Sequence, residues 1–537
     1  MKLVASVFRV VALVVTCAFG SLSNPAFAAA DRQEAEPASS NGEDGSDPAR
    51  DAWVLPDLMG GIYQGQCAVC HGAELQGAAQ GPALVGSPLA GGETVAEVTA
   101  SIATGAPDKG MPAWSGALPD DDIRGLAIYL LEKRVLDPDA ARRGTGEPPV
   151  IPTAPIASEH HRFVLTSLYT GIRDPYSIAP LPDGRILVTE KMTGIHIVAA
   201  DGSGATPVTG TPRFYADGAL RGDTLSGSGW AHEVALHPDY ADNGWIYLSY
   251  GDRCTGCNTH SRETGLPVTM LKLVRGRLVG SVWTDQQTLW EAPKETYQPG
   301  MENGAGARIA FDREGHVYLS IGAFTDYRGI QDLSKPYGKV IRVHADGGVP
   351  EDNPFRHTPG ALPGIFTLGH RNPQGLDFDP HTGLLWSSEH GPRGGDEGNI
   401  LRAGRNYGWP LVSLGVDYDG RPIPYAEKYR LEFDPDDLEP PAIDWTPSPG
   451  VSSIVFYRGQ AFRKWQNHLL VATLGGNDLW RVEVDATGAR HTETLIDGLG
   501  RLRDIEIGAE GEILLLLEHA SGSQILAMKP APAAAAD

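Results

Sequence analysis

From residue 160 to about residue 530 the polar and apolar positions repeat one coarse theme. A turn rich in Pro, Asp and Gly gives way to a short β-branched or aliphatic run, and another turn follows. The theme is plain in Leu181-Pro182-Asp183-Gly184-Arg185-Ile186-Leu187-Val188-Thr189 and where His237-Pro238-Asp239 leads to Ile246-Tyr247-Leu248-Ser249. It returns where Asp312 leads to Val317-Tyr318-Leu319-Ser320 and Asp379-Pro380 leads to Leu384-Leu385-Trp386-Ser387, with looser copies at Leu469-Leu470-Val471-Ala472 and Ile513-Leu514-Leu515-Leu516. Turn-bounded runs of this length are strand signals, and few stretches carry a long helical period. Six irregularly spaced copies predict an all-β propeller of six blades. A sandwich with additional strands is the competing arrangement, and spacing alone leaves the blade number open.

The pattern ahead of residue 160 is different. Residues 51–136 open with a helical stretch around 56–66, pass through a Gly-rich middle, and end where Leu118-Pro119-Asp120-Asp121-Asp122 caps an apolar-periodic helix through Leu131, which predicts a small all-α domain. Residues 137–159 contain Glu147-Pro148-Pro149-Val150-Ile151-Pro152-Thr153-Ala154-Pro155 and read as a semi-stiff linker. Residues 29–50 are Ala/Glu/Ser/Gly/Asp-rich without periodicity and read as a tether, and residues 531–537 as a short disordered tail. At the start, Lys2 and Arg9 precede the apolar run from Val10 to Ala18, and Ala26-Phe27-Ala28 suits signal cleavage, so residues 1–28 read as an export signal. The run falls short of the ~20 residues a membrane span needs. The mature chain is therefore expected without a span, in the periplasm or secreted.

Composition narrows the chemistry. The 537 residues include 66 Gly and 41 Pro, which fits a turn-rich globular chain of more than one folding unit. With 44 Lys and Arg against 67 Asp and Glu, the net charge of −23 repels phosphate backbones, so nucleic acid is not an expected partner. Of five cysteines, Cys17 leaves with the signal, and the rest form two C-x-x-C pairs. In Cys67-Ala68-Val69-Cys70-His71 two thiols can add to the vinyl groups of one haem while the adjacent imidazole reaches the iron, which predicts haem c. Met111, in Gly110-Met111-Pro112-Ala113-Trp114, is the expected sixth ligand opposite His71. The pair in Cys254-Thr255-Gly256-Cys257-Asn258 has Asn where a haem His would stand. It reads first as a short-loop disulfide, with a redox dithiol or a metal clip with His260 as the other readings.

Residues 51–136 resemble class I cytochrome c domains, including Gly81-Pro82-Ala83-Leu84, where the resemblance implies that the Pro82 carbonyl orients His71. In the propeller segment, Arg371, Arg501 and Arg503 stand near glycines and can clamp a multiply anionic planar ligand through bidentate forks. Strand alternation in Arg501-Leu502-Arg503-Asp504 puts both arginines on one face. The strings Gly369-His370-Arg371-Asn372-Pro373-Gln374-Gly375 and Glu389-His390-Gly391-Pro392-Arg393-Gly394-Gly395-Asp396-Glu397 resemble the glucose/sorbosone dehydrogenase family, soluble sugar dehydrogenases dependent on pyrroloquinoline quinone (PQQ) with six-bladed propellers. The resemblance implies that Arg371 and Asn372 contact PQQ, that Arg501 and Arg503 hold its carboxylates, and that the carbonyls of Gly391 and Pro392 bind Ca²⁺. Asp396 and Glu397 match a family acidic pair at a second Ca²⁺ or are plain loop carboxylates.

Three positions depart from the family. Its general-base His falls on Gly304, its inner-loop Gln on Ser228, and a cofactor-binding Lys on Gly475. Loss of a general base costs about 10²–10⁴ in rate. His232 and Glu302 are the candidates to replace it, each with a structural role as the competing reading. The expected function is an exported quinohaemoprotein oxidoreductase that oxidises a small sugar or other alcohol with PQQ and passes electrons through the fused haem to a respiratory acceptor. Tethering alone raises the acceptor's effective concentration to roughly the millimolar range, with no built interface. The alternative is an electron-transfer or ligand-binding protein whose propeller has lost sugar oxidation.

Overall fold

The computed structural model describes residues 57–135, 148–216, 219–221, 224–226, 229–323 and 326–532. The expected export signal (1–28), the tether (29–50), the first part of the linker and Ser228 lie outside these residues, as does the side chain of Glu302. The described residues belong to one compact unit. Among them no helix is long and apolar enough to cross a membrane.

Six antiparallel sheets form a ring. Their innermost strands, Pro175–Pro180, Ala231–Leu236, Gly306–Phe311, Pro373–Phe378, Val451–Phe456 and Arg501–Ile507, pack against one another around the axis. The six aliphatic runs of the sequence are the second strands of these sheets: Ile186–Glu190, Ile246–Cys254, His316–Ile321, Leu385–Glu389, Leu469–Thr473 and Ile513–Glu518. They are nearly continuous in hydrophobicity because neighbouring blades cover both of their faces. The ring closes by pairing Arg162–Ile172 with the C-terminal strand Ser523–Pro530, Leu165 opposite Met528 and Thr166 opposite Ala527. Closure removes the exposed sheet edges that a sandwich would keep.

Each innermost strand slips register near its start, at 175/178, 231/234, 306/309, 373/375, 451/454 and 502/504. A bulge leaves backbone groups unpaired, and buried ones must find partners. Hydroxyls that close the aliphatic runs supply several of them. Thr189 Oγ1 accepts from Ser177 N at 3.0 Å and donates to His232 O at 2.6 Å. Ser249 Oγ accepts from Glu233 N at 3.0 Å and donates to Ala307 O at 2.7 Å, while Ser388 Oγ donates to Ser452 O at 2.6 Å. Each donated bond crosses to the next blade, so the hydroxyls that accommodate the bulges also pin the ring. Tyr176, His232, Arg308 and Arg503 all stand at bulges, which re-aim side chains at a barrel or propeller rim.

The N-terminal domain is helical. Leu58–Ile62 and Ala68–His71 flank a π turn at Tyr63–Cys67, and Val95–Thr104 packs on Asp120–Val135. Tyr63, Val98, Ile102, Leu126 and Leu130 form part of its core. Asp120, Asp121 and Asp122 in the first turn of the last helix, and Lys133 and Arg134 in its last, match the helix dipole. The helix Val95–Thr104 falls in the stretch read from sequence only as Gly-rich. Its signal was the capping box in which Thr94 and Glu97 satisfy each other's backbone N–H groups.

Candidate active site

The helical domain builds a site from one contiguous motif. Cys67 and Cys70 are free thiols on adjacent turns, and burial pushes the Cys67 thiol up to about 11. His71 Nδ1 donates to the Pro82 carbonyl at 2.9 Å, which leaves Nε2 as the ligating nitrogen. Met111 is held by reciprocal backbone bonds with Ala106, 2.9 Å and 3.1 Å, in a loop that Gly110 turns with φ +87°. Two free thiols, an imidazole fixed by its far nitrogen and a thioether on a clipped loop fit haem c in their donor chemistry. Cys254 and Cys257, by contrast, are joined as a disulfide.

The second site lies at the end of the propeller where the innermost strands begin. Arg503 Nη2 and Nε donate to Glu518 Oε2 at 2.7 Å and 3.1 Å, Arg501 Nη2 reaches the same oxygen at 3.4 Å, and Lys191 Nζ reaches Glu518 Oε1 at 3.4 Å. Burial works against the charge on Glu518, but Arg503, Lys191 and Arg501 together hold its carboxyl well below the usual range. Among the described residues three cations thus converge on one carboxylate, with Asp174 also near Lys191. Simple alternation does not account for the arginine pair, because the bulge at 502/504 leaves Arg503 unpaired with the neighbouring strand. Glu518 gathers both guanidinium groups instead.

Arg371 and Asn372 stand on the same rim. Both backbone N–H groups donate to Glu389 Oε1, and the other oxygen of Glu389 accepts from His370 Nδ1 at 2.9 Å. The Arg371 side chain donates to Tyr418 Oη at 2.8 Å and to His390 O at 3.3 Å, and lies 5.4 Å from the Trp409 ring centre. His390 ties the two groups together. Its Nδ1 lies 3.5 Å from Asn372 Nδ2, its ring also meets the Val451 backbone, and burial, then Arg371 and Arg503, push the imidazole down to about 3. A neutral imidazole beside Arg371 and Arg503 fits an anionic ligand with hydrogen-bonding groups. The Pro392 carbonyl accepts from Gly395 N at 3.1 Å and from Ser448 Oγ at 3.4 Å. The Pro392 carbonyl, expected to bind a cation, is thus engaged by two donors of the chain itself. Asp396 is engaged by the backbone, Oδ1 with Gly391 N at 3.1 Å and Oδ2 with Val451 N at 2.8 Å, and burial pushes it up to about 6. Glu397 is pushed up to about 8 by burial and by Glu389.

The base candidates border this rim: the residue before His232 donates its backbone N–H to the Lys191 carbonyl at 2.8 Å, and Gly306, two residues after Gly304, donates its N–H to Asn372 Oδ1 at 3.2 Å. His232 is 1% exposed, packs edge-on against Tyr176 at 4.9 Å, and has no hydrogen-bond partner for either ring nitrogen among the described residues. Burial, then Lys191 and Arg308, push it down to about 3. Glu302 and Gly304 form a 3-10 turn, Met301–Gly304, directly ahead of an innermost strand. Below, Arg308 bridges Glu233 at 3.0 Å and Asp504 at 2.7 Å across the axis. Beyond them the opposite mouth opens into a cavity of about 870 Å³ lined by Glu233, Arg308, Arg458 and Glu506. Sequence reasoning missed Lys191, Glu518, His390 and Tyr418. Lys191 and Glu518 stand at the ends of second strands, where a side chain reaches the rim, and that position was the available signal.

Two family models match the chain, one in each region. Residues 172–527 match the family described as Glucose / Sorbosone dehydrogenase, and residues 56–130 match Cytochrome C oxidase, cbb3-type, subunit III. Aldose sugar dehydrogenase YliI of Escherichia coli is 33% identical over 363 residues, 66% of this chain and 90% of that protein. The crystal structure of the soluble aldose sugar dehydrogenase of Escherichia coli in the apo-form superposes with a TM-score of 0.59 at 30% identity, covering 69% of this chain and all of that one. The PQQ-bound form of aldose sugar dehydrogenase from Streptomyces coelicolor superposes at 0.50 with 25% identity, covering 70% of this chain and 99% of that one.

Proposed function

Because the chain belongs to the glucose/sorbosone dehydrogenase family and carries a cytochrome c domain ahead of its propeller, we propose that this oxidoreductase is an exported quinohaemoprotein that oxidises the CH–OH group of an aldose or related alcohol. The observation that carries the proposal is the gathering of cations on the rim, where Arg501, Arg503 and Lys191 converge on Glu518. A ligand with several carboxylates pairs with guanidinium groups so gathered. In this reading PQQ, when bound, supplies the two-electron acceptor. Arg501 and Arg503 hold its carboxylates, Lys191 adds the cation that Gly475 no longer provides, and Arg371 and Asn372 orient it from the other side. The carbonyls of Gly391 and Pro392 hold Ca²⁺ there. Cys67 and Cys70 would attach haem c and His71 and Met111 would ligate its iron, and a respiratory carrier would take the electrons onward. The leader at residues 1–28 supports a periplasmic or secreted location, where haem attachment occurs.

The short residues at Gly304, Ser228 and Gly475 favour a second reading, a propeller that binds its anionic ligand without oxidising sugar. One titration separates the two. Haem-loaded protein receives PQQ and Ca²⁺, and haem absorbance is followed while monosaccharides, oligosaccharides and simple alcohols are offered. Haem reduction that needs both cofactor and substrate is expected. PQQ binding without reduction by any of these compounds selects the second reading, and absence of PQQ binding removes the first.

A further inference from the structure

The helical domain is not merely tethered to the propeller. Arg393 follows directly on Gly391-Pro392, and its side chain leaves the propeller rim for the helical domain. Nε donates to Glu132 Oε2 at 2.7 Å, Nη1 donates to Asp57 Oδ1 at 3.1 Å, and the guanidinium lies 5.5 Å from the Tyr129 ring centre. Arg393 and Glu132 are only 13% and 12% exposed at their side chains, so the pair is formed inside an interface. Around it Arg124 donates to the Leu414 carbonyl, and Ile128 packs against Gly394. Gly125 faces the Gly420 carbonyl so closely that a side chain at either glycine would collide, with Gly420 O or with Met59. Glycine on both surfaces allows the backbones to meet.

The contact also lies between the two redox sites. Arg371 donates to Tyr418 Oη at 2.8 Å, and the Tyr418 carbonyl accepts from Arg393 Nη1 at 3.4 Å. Arg393 meets Tyr129, whose ring centre lies 5.8 Å from that of Tyr63, and Tyr63 Oη donates at 2.7 Å to the carbonyl of Gly72, the residue after His71. A continuous run of packed and hydrogen-bonded groups therefore joins an arginine of the rim to the neighbour of the haem histidine. The geometry points to a docked electron-transfer complex within one chain: Arg393, gripping Glu132 and Asp57, holds the haem domain on the rim, and electrons leave the rim through this contact.

This inference rests on the proposed function. Oxidation of a CH–OH group to C=O releases two electrons and two protons. The electrons pass singly to the ferric haem, an external one-electron acceptor of the c-type carrier class reoxidises the iron after each, and the protons go to solvent. Arg393 acts as a positioning residue and is neither oxidised nor reduced. Tethering by a linker would leave the domains mobile, whereas a desolvated ion pair fixes register.

The test uses the full haem-loaded chain and three variants: Glu132→Arg, the milder Glu132→Gln, and the charge swap Glu132→Arg with Arg393→Glu. Small-angle X-ray scattering reads docking. Stopped-flow haem absorbance with PQQ, Ca²⁺ and an aldose reads internal transfer, and a dichlorophenolindophenol assay that bypasses the haem reads oxidation itself. Glu132→Arg is expected to enlarge the particle and slow haem reduction at least tenfold, with dye turnover within twofold of wild type. Glu132→Gln is expected to slow haem reduction about threefold, and the swap to restore compactness and rate. Unchanged haem reduction in an enlarged Glu132→Arg particle overturns the electron route, and an extended wild-type particle overturns the docking. Failure of every aldose to reduce the dye overturns the oxidation reading and the route with it, while scattering still decides the docking. Should Glu132→Arg lose its haem spectrum, Glu132→Gln carries the same comparison.

Discussion

Two ionic clusters share the propeller axis, and their charge balance separates them. On the rim, Arg501, Arg503 and Lys191 surround one carboxylate, Glu518. One layer below, a single guanidinium, Arg308, lies between two carboxylates, Glu233 and Asp504, with the buried Glu506 beyond. Arg503 and Arg308 both stand at bulges of innermost strands, and each is under 10% exposed. Burial and geometry are alike in the two, and the sign that predominates among the described groups separates them: cations around Glu518, carboxylates around Arg308. A gathering of cations suits an anionic ligand, and a gathering of carboxylates holds its own cation within the ring.

Breaking the lower cluster should have the largest effect. Arg308→Met leaves Glu233 and Asp504 buried without their cation, which costs about 3–5 kcal/mol for a broken buried pair. Thermal or urea unfolding should show that loss, and a loss below about 1 kcal/mol would mean the lower cluster is not structural. On the rim, Arg503→Ala still leaves Glu518 with Lys191 and Arg501, so stability should change less. PQQ affinity should instead fall about 10–100-fold, the range for losing a charged hydrogen bond of about 1.5–3 kcal/mol. A titration in which Arg503→Ala binds PQQ as wild type does would break the distinction drawn between the two clusters.

The same contrast explains what could be read from the chain beforehand. The haem site was legible because its thiols and imidazole are contiguous and the Pro82 partner lies eleven residues on. The ring was legible because every second strand carries a short, mostly apolar run between turns. Glu518 and Lys191 were not, since they are more than three hundred residues apart and meet only when the ring closes. Arg308 looked no different from Arg371 or Arg503 in sequence, because charge balance is a property of the folded axis. The docking of the haem domain was hidden for the same reason. The semi-stiff linker suggested tethering with no built interface, and only the folded rim brings Arg393 to Glu132.

The smallest effect sharpens the comparison through pH. Burial pushes the Glu233 carboxyl up to about 7, with Asp504 adding to the rise and Arg308 opposing it. An unfolded Glu titrates near 4.3. Between about 4.3 and about 7 the folded chain keeps a proton that the unfolded chain has released, so this group makes stability fall as pH rises through that window. Glu518 has the opposite sign. Held below the usual range, it refuses a proton that the unfolded chain accepts, so its contribution is lost as pH falls below about 4.3. Glu233→Gln should therefore gain about 1–2 kcal/mol over wild type in urea unfolding at pH 7.5, after allowance for coupling to Asp504, and show little difference near pH 4.5. Glu518→Gln should lose stability at pH 7.5 and approach wild type only in acid. If Glu233→Gln is instead destabilised at pH 7.5 as strongly as Glu518→Gln, the lower carboxylate is a charged partner of Arg308, and the two clusters differ in position alone.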